Sequence, residues 1–353
     1  MMLLGRLKSQ LVASTSPWRL LARNYKVTVV GAGGGIGQPL SLLIRQNAGI
    51  RELALHDINE MKGIATDLSH ISKPGRVTTF VGESQLEAAV SGANVVVVAA
   101  GMPRLPGMER DQLMAANGGV AAKVASAVSV ACPGTLLAFI TNPINMIVPT
   151  AAEVLKANGV FNPRRLFGIT TLDVVRAKKF IGTAMGKDPG NVDITVIGGH
   201  AGITILPLLS TCKPPYLGEA KEIEKLIHRI QEAGTEVVKA KAGNGSATLS
   251  MAYAGAQFVD SLLRAIGGQE GVVECAFVAS ELTEAPFFAS SLELGRYGIK
   301  RYLEIPQMNE LEMEALAKLL PILRKNAEEG IDFARKYLKQ LEKTVPTALP
   351  EAQ

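Results

Sequence analysis

Five charged or titratable side chains stand where they could handle a small acid. Asp173 and Arg176 lie three apart in Thr170-Thr171-Leu-Asp173-Val-Val-Arg176. That segment starts like a helix, so the carboxylate and the guanidinium share one face. His200 stands among glycines, in Gly198-Gly199-His200-Ala-Gly202, at the end of an apolar run from Val192 to Ile197. A histidine in such a turn is accessible from several sides, and Asp173 is a candidate partner. Arg104 and Arg110 belong to Gly101-Met-Pro-Arg104-Leu-Pro-Gly-Met-Glu-Arg110, whose prolines and glycines argue for a loop. Guanidinium groups on a mobile loop suit capture of a small carboxylate and closure over it; a solvated surface loop is the plainer alternative. His56, His70 and His228 occupy a strand end, a helix end and a charged helix. They read as structural.

These groups need a frame, and Gly31-Ala32-Gly33-Gly34-Gly35-Ile36-Gly37 supplies its start. The β-branched run Val27 to Val30 leads into the glycines, and a helix-like segment, Gln38 to Gln46, leads out. Strand, glycine turn and helix N-terminus together form a pyrophosphate site, because glycine lets the backbone approach the anion and the helix start offers free N–H groups. A second strand, from Arg51, ends at Asp57, 20 residues past Gly37, where a ribose-binding carboxylate is expected. A carboxylate there accepts from the 2′-hydroxyl and repels a 2′-phosphate, which favours NAD over NADP. The alternative is a structural glycine turn followed by a helix-capping aspartate.

The chain then alternates. A polar helix (Met61 to Leu68), a short strand (Arg76 to Val81), a small helix (Gln85 to Val90) and the run Asn94 to Ala100 follow, with another strand at Thr135 to Ile140. Continuous apolar strands suit a parallel sheet covered on both faces. Ligands in such folds bind beyond the carboxyl ends of the strands, which picks out Gly31, Gly101 and Thr141-Asn142-Pro143. A second domain begins near Thr170. It holds a long charged helix from Glu219 to Lys241 with a break near Gly234, and a small-residue loop from Lys239 to Thr248. The helix Met251 to Ala265 and strands at Gly271 to Val278 and Phe287 to Ser290 come next. A last helix from Glu310 to Lys339 is broken around Pro321, with Asn309 placed to cap it.

Bulk properties narrow the class. At 353 residues, two domains are expected. Aromatics make up 5% of the chain, so base-stacking surfaces are not suggested. Cys132, Cys212 and Cys275 form neither a metal spacing nor an even disulfide framework. The formal charge of +5 includes Arg6, Lys8, Arg19 and Arg23 in the first 24 residues, leaving +1 for the rest. A near-neutral body argues against nucleic acid as partner. No Asp or Glu precedes Glu52; Leu4, Leu7 and Leu11 can share a helical face, and Ser9, Ser14, Thr15 and Ser16 follow. Basic, amphipathic, hydroxyl-rich and acid-free is the composition of a mitochondrial transit peptide; a disordered cytosolic extension is the alternative. The apolar stretches are too short for a secretory signal or membrane insertion.

Long motifs then carry a resemblance: GAGGGIGQPLSLL from Gly31, DLSHI from Asp67, the Arg104 to Arg110 loop, TNPIN from Thr141, FGITTLDVVRA from Phe167, VIGGHAG from Val196 and QEAGTEVVKAKAGNGSATLSMAYA from Gln231. From about Lys26 to Lys339 the chain closely resembles the NAD-dependent malate dehydrogenases of the mitochondrial and related bacterial type. The resemblance implies an α/β fold, a Rossmann-type doubly wound parallel sheet followed by an α+β substrate domain. The expected division is a transit peptide at 1–24, an NAD-binding domain at 25–169, a catalytic domain at 170–340 and a flexible tail at 341–353. It implies an oxidoreductase of the tricarboxylic acid cycle in the mitochondrial matrix, a homodimer acting on malate and oxaloacetate, with NAD as cofactor and no metal.

The family pattern also assigns roles. His200 would exchange the proton of the substrate hydroxyl and Asp173 would orient it. Arg176 would clamp the C1 carboxylate, Arg104 the distal carboxylate, and Arg110 would polarise the C2 oxygen, with Asn142 beside it. Gly31, Ala32, Gly33, Gly34, Gly35, Ile36, Gly37, Asp57, Asn117, Ile140, Thr141, Asn142 and Met251 would meet the cofactor. One stretch departs from the family. Leu113-Met-Ala-Ala-Asn117-Gly118-Gly119-Val120 keeps the asparagine but places two glycines in what should be a helix, each costing about 1 kcal/mol against alanine. Either they loosen the hinge of the arginine loop, or they mark drift towards a partly or wholly inactive dinucleotide-binding paralog.

Overall fold

A computed structural model describes residues 24–102 and 110–344. The first half alternates strand and helix. β1 (Tyr25–Val30) leads through the glycine turn into α1 (Gly37–Arg45), followed by β2 (Ile50–Asp57), α2 (Lys62–Ser69), β3 (Arg76–Val81), α3 (Leu86–Val90) and β4 (Val95–Val98). After the undescribed residues come α4 (Arg110–Ala131), β5 (Leu136–Phe139), α5 (Ile144–Ala157) and β6 (Leu166–Ile169). The second half comprises α6 (Thr171–Ala184), β7 (Asp193–Gly198), β8 (Ile205–Lys213), α7 (Ala220–Ala240), α8 (Leu249–Ile266), β9 (Val272–Ala279), β10 (Phe287–Gly295), β11 (Gly298–Tyr302) and α9 (Glu310–Thr344).

All strands among the described residues join one sheet, in the order β3-β2-β1-β4-β5-β6-β9-β10-β7-β8, with β11 beside β10. From β3 to β6 every pairing is parallel. The order 3-2-1-4-5-6 is the doubly wound dinucleotide-binding arrangement, as the sequence predicts. From β6 onward the pairings are antiparallel.

The valines of β4 show why that run is continuously apolar. Val96 and Val98 face a core built with α4, α5 and α9, whereas Val95 and Val97 face one built with α1 and α8. Both faces are covered, so alternation has no use there. A smaller core fills the space between α6, α7, β7 and β8. The apolar helix α4 belongs to the first of these cores.

Three expectations are corrected. Neither Gly234 nor Pro321 breaks its helix; α7 and α9 run through both. Buried Leu319, Leu323 and Ala327 hold α9 against the core on either side of Pro321, and that burial outweighs the roughly 3 kcal/mol a helical proline costs. Residues 341–344, expected in the flexible tail, extend α9 instead. Gln340, Leu341, Glu342 and Lys343 are all good helix formers.

Asn309 does cap α9. Its Oδ1 accepts from the Glu312 N–H at 2.9 Å, and its own N–H donates to Glu312 Oε2 at 3.1 Å. Glu312 also accepts from the Ser210 N–H and hydroxyl, tying the helix start to β8.

Candidate active site

The first and last glycines of the turn leave no room for a side chain. A Cβ on Gly31, where φ is +85°, would collide with the Ala100 backbone, and one on Gly37 would collide with the Gly31 carbonyl. The His56 carbonyl at the end of β2 accepts from the N–H groups of Gly31 (2.8 Å) and Ala32 (3.0 Å). Asp57 is drawn into the same turn: its Oδ2 accepts from the Gly33 N–H at 2.9 Å and its Oδ1 from the Asn59 N–H at 3.1 Å. No side chain caps α1 and no acid lies in its first turn, so the positive end of the helix is left for an anion. These residues fit a dinucleotide with a free 2′-hydroxyl.

A cleft of about 780 Å³ opens beyond this turn. Gly34, Gly35 and Ile36 of the turn line it, and so do Arg176, His200 and Asn142. Ile140, Thr141 and Met251 line it as well. Asp173 stands in the first turn of α6, and His200 follows β7. The sheet brings them together across 27 residues of sequence: His200 Nδ1 lies 2.5 Å from Asp173 Oδ2, with both side chains almost wholly enclosed. Nδ1 is committed to the carboxylate, which leaves Nε2 for the cleft. Burial lowers the Arg176 pKa from its ordinary value, opposed by the charges of Asp173 and Glu236. Gly234, in the middle of α7, lies beside that guanidinium; a Cβ there would make only an ordinary contact, 3.9 Å from Nη1.

Asn117 is buried, and its amide is committed to backbone. Oδ1 accepts from the Met102 N–H at 2.7 Å, while Nδ2 donates to the carbonyls of Met102 (3.1 Å) and Asn142 (2.7 Å). It therefore joins the last described residue before the arginine loop to the Asn142 segment. Arg104 lies outside the described residues. Arg110 opens α4 rather than ending a loop.

Gly118 and Gly119 are both helical, but they differ. A Cβ on Gly118 would stand 2.6 Å from Phe333 Cε1 and 2.8 Å from Met114 Cε, whereas one on Gly119 would meet nothing within 4 Å. Gly118 thus lets α9 approach α4. The sequence departure at this position has a packing cause, which removes half the case for drift.

Of the three histidines read as structural, His56 is buried with Nε2 3.0 Å from the Gly82 carbonyl, and burial lowers its pKa. His70 ends α2, and His228 is exposed on α7. Two features of the site went unread in the sequence. The loop before α8 closes over the glycine turn, with the Thr248 methyl 3.1 Å from where a Gly35 Cβ would be; its small residues were the visible signal. Asn145, behind His200, had none beyond its place in TNPIN.

Comparison with known proteins gives the family. Residues 25–168 match the model of the lactate/malate dehydrogenase NAD-binding domain, and residues 170–334 that of the lactate/malate dehydrogenase α/β C-terminal domain. A mitochondrial malate dehydrogenase of Felis catus is 49% identical over 312 residues, 88% of this chain and 92% of that protein. A glyoxysomal malate dehydrogenase of Citrullus lanatus is 48% identical over 314 residues, 89% of this chain and 88% of that one. Among solved structures, the apo malate dehydrogenase of Picrophilus torridus superposes with a TM-score of 0.75 at 25% identity, covering 89% of this chain and 99% of the other.

Proposed function

The chain belongs to the lactate/malate dehydrogenase family and acts as an NAD-dependent malate dehydrogenase; from that premise we propose how its residues divide the reaction and where it works. The observation that carries the reading is the Asp173–His200 hydrogen bond, set in a cleft lined both by the dinucleotide turn and by the half-buried Arg176. NAD, when bound, supplies the hydride acceptor. His200 Nε2 takes the proton of the malate hydroxyl, and returns it in the reverse direction. Asp173 holds the Nδ1 proton in place and stabilises the imidazolium that forms. Arg176 binds the C1 carboxylate, ideally through two parallel hydrogen bonds. Arg104 pairs with the distal carboxylate and Arg110 stabilises negative charge on the C2 oxygen. Asn142 contacts that oxygen, and Gly31 to Gly37, Asp57, Ile140, Thr141 and Met251 hold the cofactor. Asn117 serves the cofactor end by placing the backbone of Met102 and Asn142.

The division at 169/170 into a cofactor half and a substrate half is supported by the change from parallel to antiparallel pairing after β6; Arg104, Arg110 and Asn142 reach the substrate from the first half, and Met251 reaches the cofactor from the second. The acid-free leader supports delivery to the mitochondrial matrix, and import of a fusion carrying residues 1–24 into isolated mitochondria tests it. Homodimer formation is supported by a groove lined by α1, α6, α8 and β9 that exposes Tyr253 and Val273. Sedimentation as a monomer at micromolar concentration would contradict it.

The decisive assay follows NADH absorbance with oxaloacetate, and separately with pyruvate and with NADPH, on protein starting at Tyr25. Turnover is expected with oxaloacetate and NADH. Arg104→Gln is expected to shift preference towards pyruvate, because a closed site with an unpaired guanidinium rejects a monoacid. Unchanged oxaloacetate/pyruvate discrimination in that variant would refute the role of Arg104.

A further inference from the structure

We propose that Asn145 is a positioning residue for the proton relay. It pegs the main chain of His200 to the same short segment that carries Asn142, and so sets where the imidazole stands at the reacting end of the cleft. The inference rests on the reading of His200 as the proton acceptor.

Asn145 lies in the first turn of α5, three residues after Asn142, and is 2% exposed. Its Oδ1 accepts from the His200 N–H at 2.9 Å. Its Nδ2 donates to Thr204 Oγ1 at 3.2 Å and to Asn326 Oδ1 at 3.3 Å. Both partners are themselves buried. With the carbonyl and both amide hydrogens engaged, the orientation of the amide is fixed.

The turn that carries His200 is held at three successive N–H groups. Gly199 donates to the Thr204 carbonyl at 2.7 Å, His200 to Asn145, and Ala201 to Thr204 Oγ1 at 3.1 Å. The fit is close: a Cβ on Gly199 would stand 2.7 Å from Thr204 Oγ1 and 2.8 Å from Asn145 Nδ2. Asp173 holds the imidazole at one atom only, and a ring held at one atom can pivot about it. The main-chain peg gives the second fixed point. It also ties His200 to α5, and through Asn326 to α9.

The test uses the full chain with Asn145→Leu, Asn145→Asp and, in parallel, His200→Gln. Asn145→Leu is expected to lower kcat by about 10²-fold in both directions, the scale of a small misplacement of a reacting group. NADH binding followed by fluorescence should stay within about twofold. The isotope effect with deuterated NADH should rise as the chemical step becomes limiting. Asn145→Asp keeps an acceptor for the His200 N–H but buries a carboxylate close to the imidazole. It should recover part of kcat and move the pH midpoint of malate oxidation upward.

Normal kcat in either variant overturns the proposal. So does a loss of kcat with the isotope effect and pH midpoint unmoved, since that is what a purely structural role produces. If Asn145→Leu does not fold, the pH midpoint of Asn145→Asp decides. Turnover surviving in His200→Gln would bring down the relay reading and this inference together. Its loss there, with both Asn145 variants fully active, would bring down this inference alone.

Discussion

Adjacent glycines in one helix should respond oppositely to the same substitution. Alanine is favoured over glycine in a helix interior by about 1 kcal/mol. At Gly119 a Cβ meets nothing within 4 Å, so Gly119→Ala should stabilise the protein by about 1 kcal/mol. At Gly118 the same gain is set against a Cβ 2.6 Å from the Phe333 ring and 2.8 Å from the Met114 methyl. The methyl can swing away, but the ring lies on the long helix α9. Overpacking of this kind costs about 1–3 kcal/mol, so Gly118→Ala should be neutral to destabilising by about 2 kcal/mol. The two variants should then differ by about 1–3 kcal/mol, a separation of about 1–4 °C in Tm at about 1.4 °C per kcal/mol for a 353-residue chain. The assay is thermal unfolding at one fixed protein concentration without cofactor, because both ligand and self-association shift Tm. A second substitution, Phe333→Leu, should restore part of the loss at Gly118. Equal shifts of the same sign in the two single variants would refute the reasoning. They would return the pair of glycines to the readings of a loosened hinge or of drift.

Two further outcomes follow from the cofactor half. Burial pushes the Glu52 carboxyl up, but the Arg76 hydrogen bond, Lys26 and Thr78 outweigh it and hold the group below the ordinary 4.5. A carboxyl depressed on folding stabilises the protein above that value and loses the effect as pH falls through the folded pKa. Glu52→Gln should therefore cost about 1 kcal/mol near neutrality, with the difference from the parent fading in melts taken below 4.5; a difference independent of pH would contradict this. Asp57→Ser removes the carboxylate proposed to hold the ribose, worth about 1.5–3 kcal/mol for a charged hydrogen bond, and should lower the NADH-to-NADPH ratio of kcat/KM about 10- to 100-fold. An unchanged ratio would show that another group excludes the 2′-phosphate.

What could be read from the sequence was what is decided locally. The glycine turn, the valine run of β4 and the Asn309 cap each depend on a few adjacent residues, and each appears where those residues point. The sequence pattern does not mark β6, β8 or β11. β6 is a four-residue strand behind two arginines, β8 contains Pro207, and β11 carries Lys300 and Arg301. None alternates cleanly, and pairing rather than pattern makes them strands. Pro321 and Gly234 misled for the complementary reason: local cost was visible, and the burial that outweighs it was not. The same holds at the site. Asp173 and Arg176 share a face by helical spacing alone. The approach of His200 to Asp173 needs β7 and α6 packed together, and the roles of Asn145 and Gly118 appear only once α5 and α9 are in place.

The seam between the two halves has a consequence for anyone who would cut the chain there. β6 and β9 pair through Gly168–Phe277 and Ile169–Ala276, the Thr170 hydroxyl donates to the Cys275 carbonyl at 3.2 Å, and Phe167 packs edge-on against Phe258. A fragment ending at Ile169 would present β6 as a bare sheet edge, apolar and unpartnered, and its complement would present β9 likewise. Such edges recruit whatever strand is nearest. Co-expressed as a split protein, the fragments should reassemble through that seam; expressed singly, each is a template for its own aggregation.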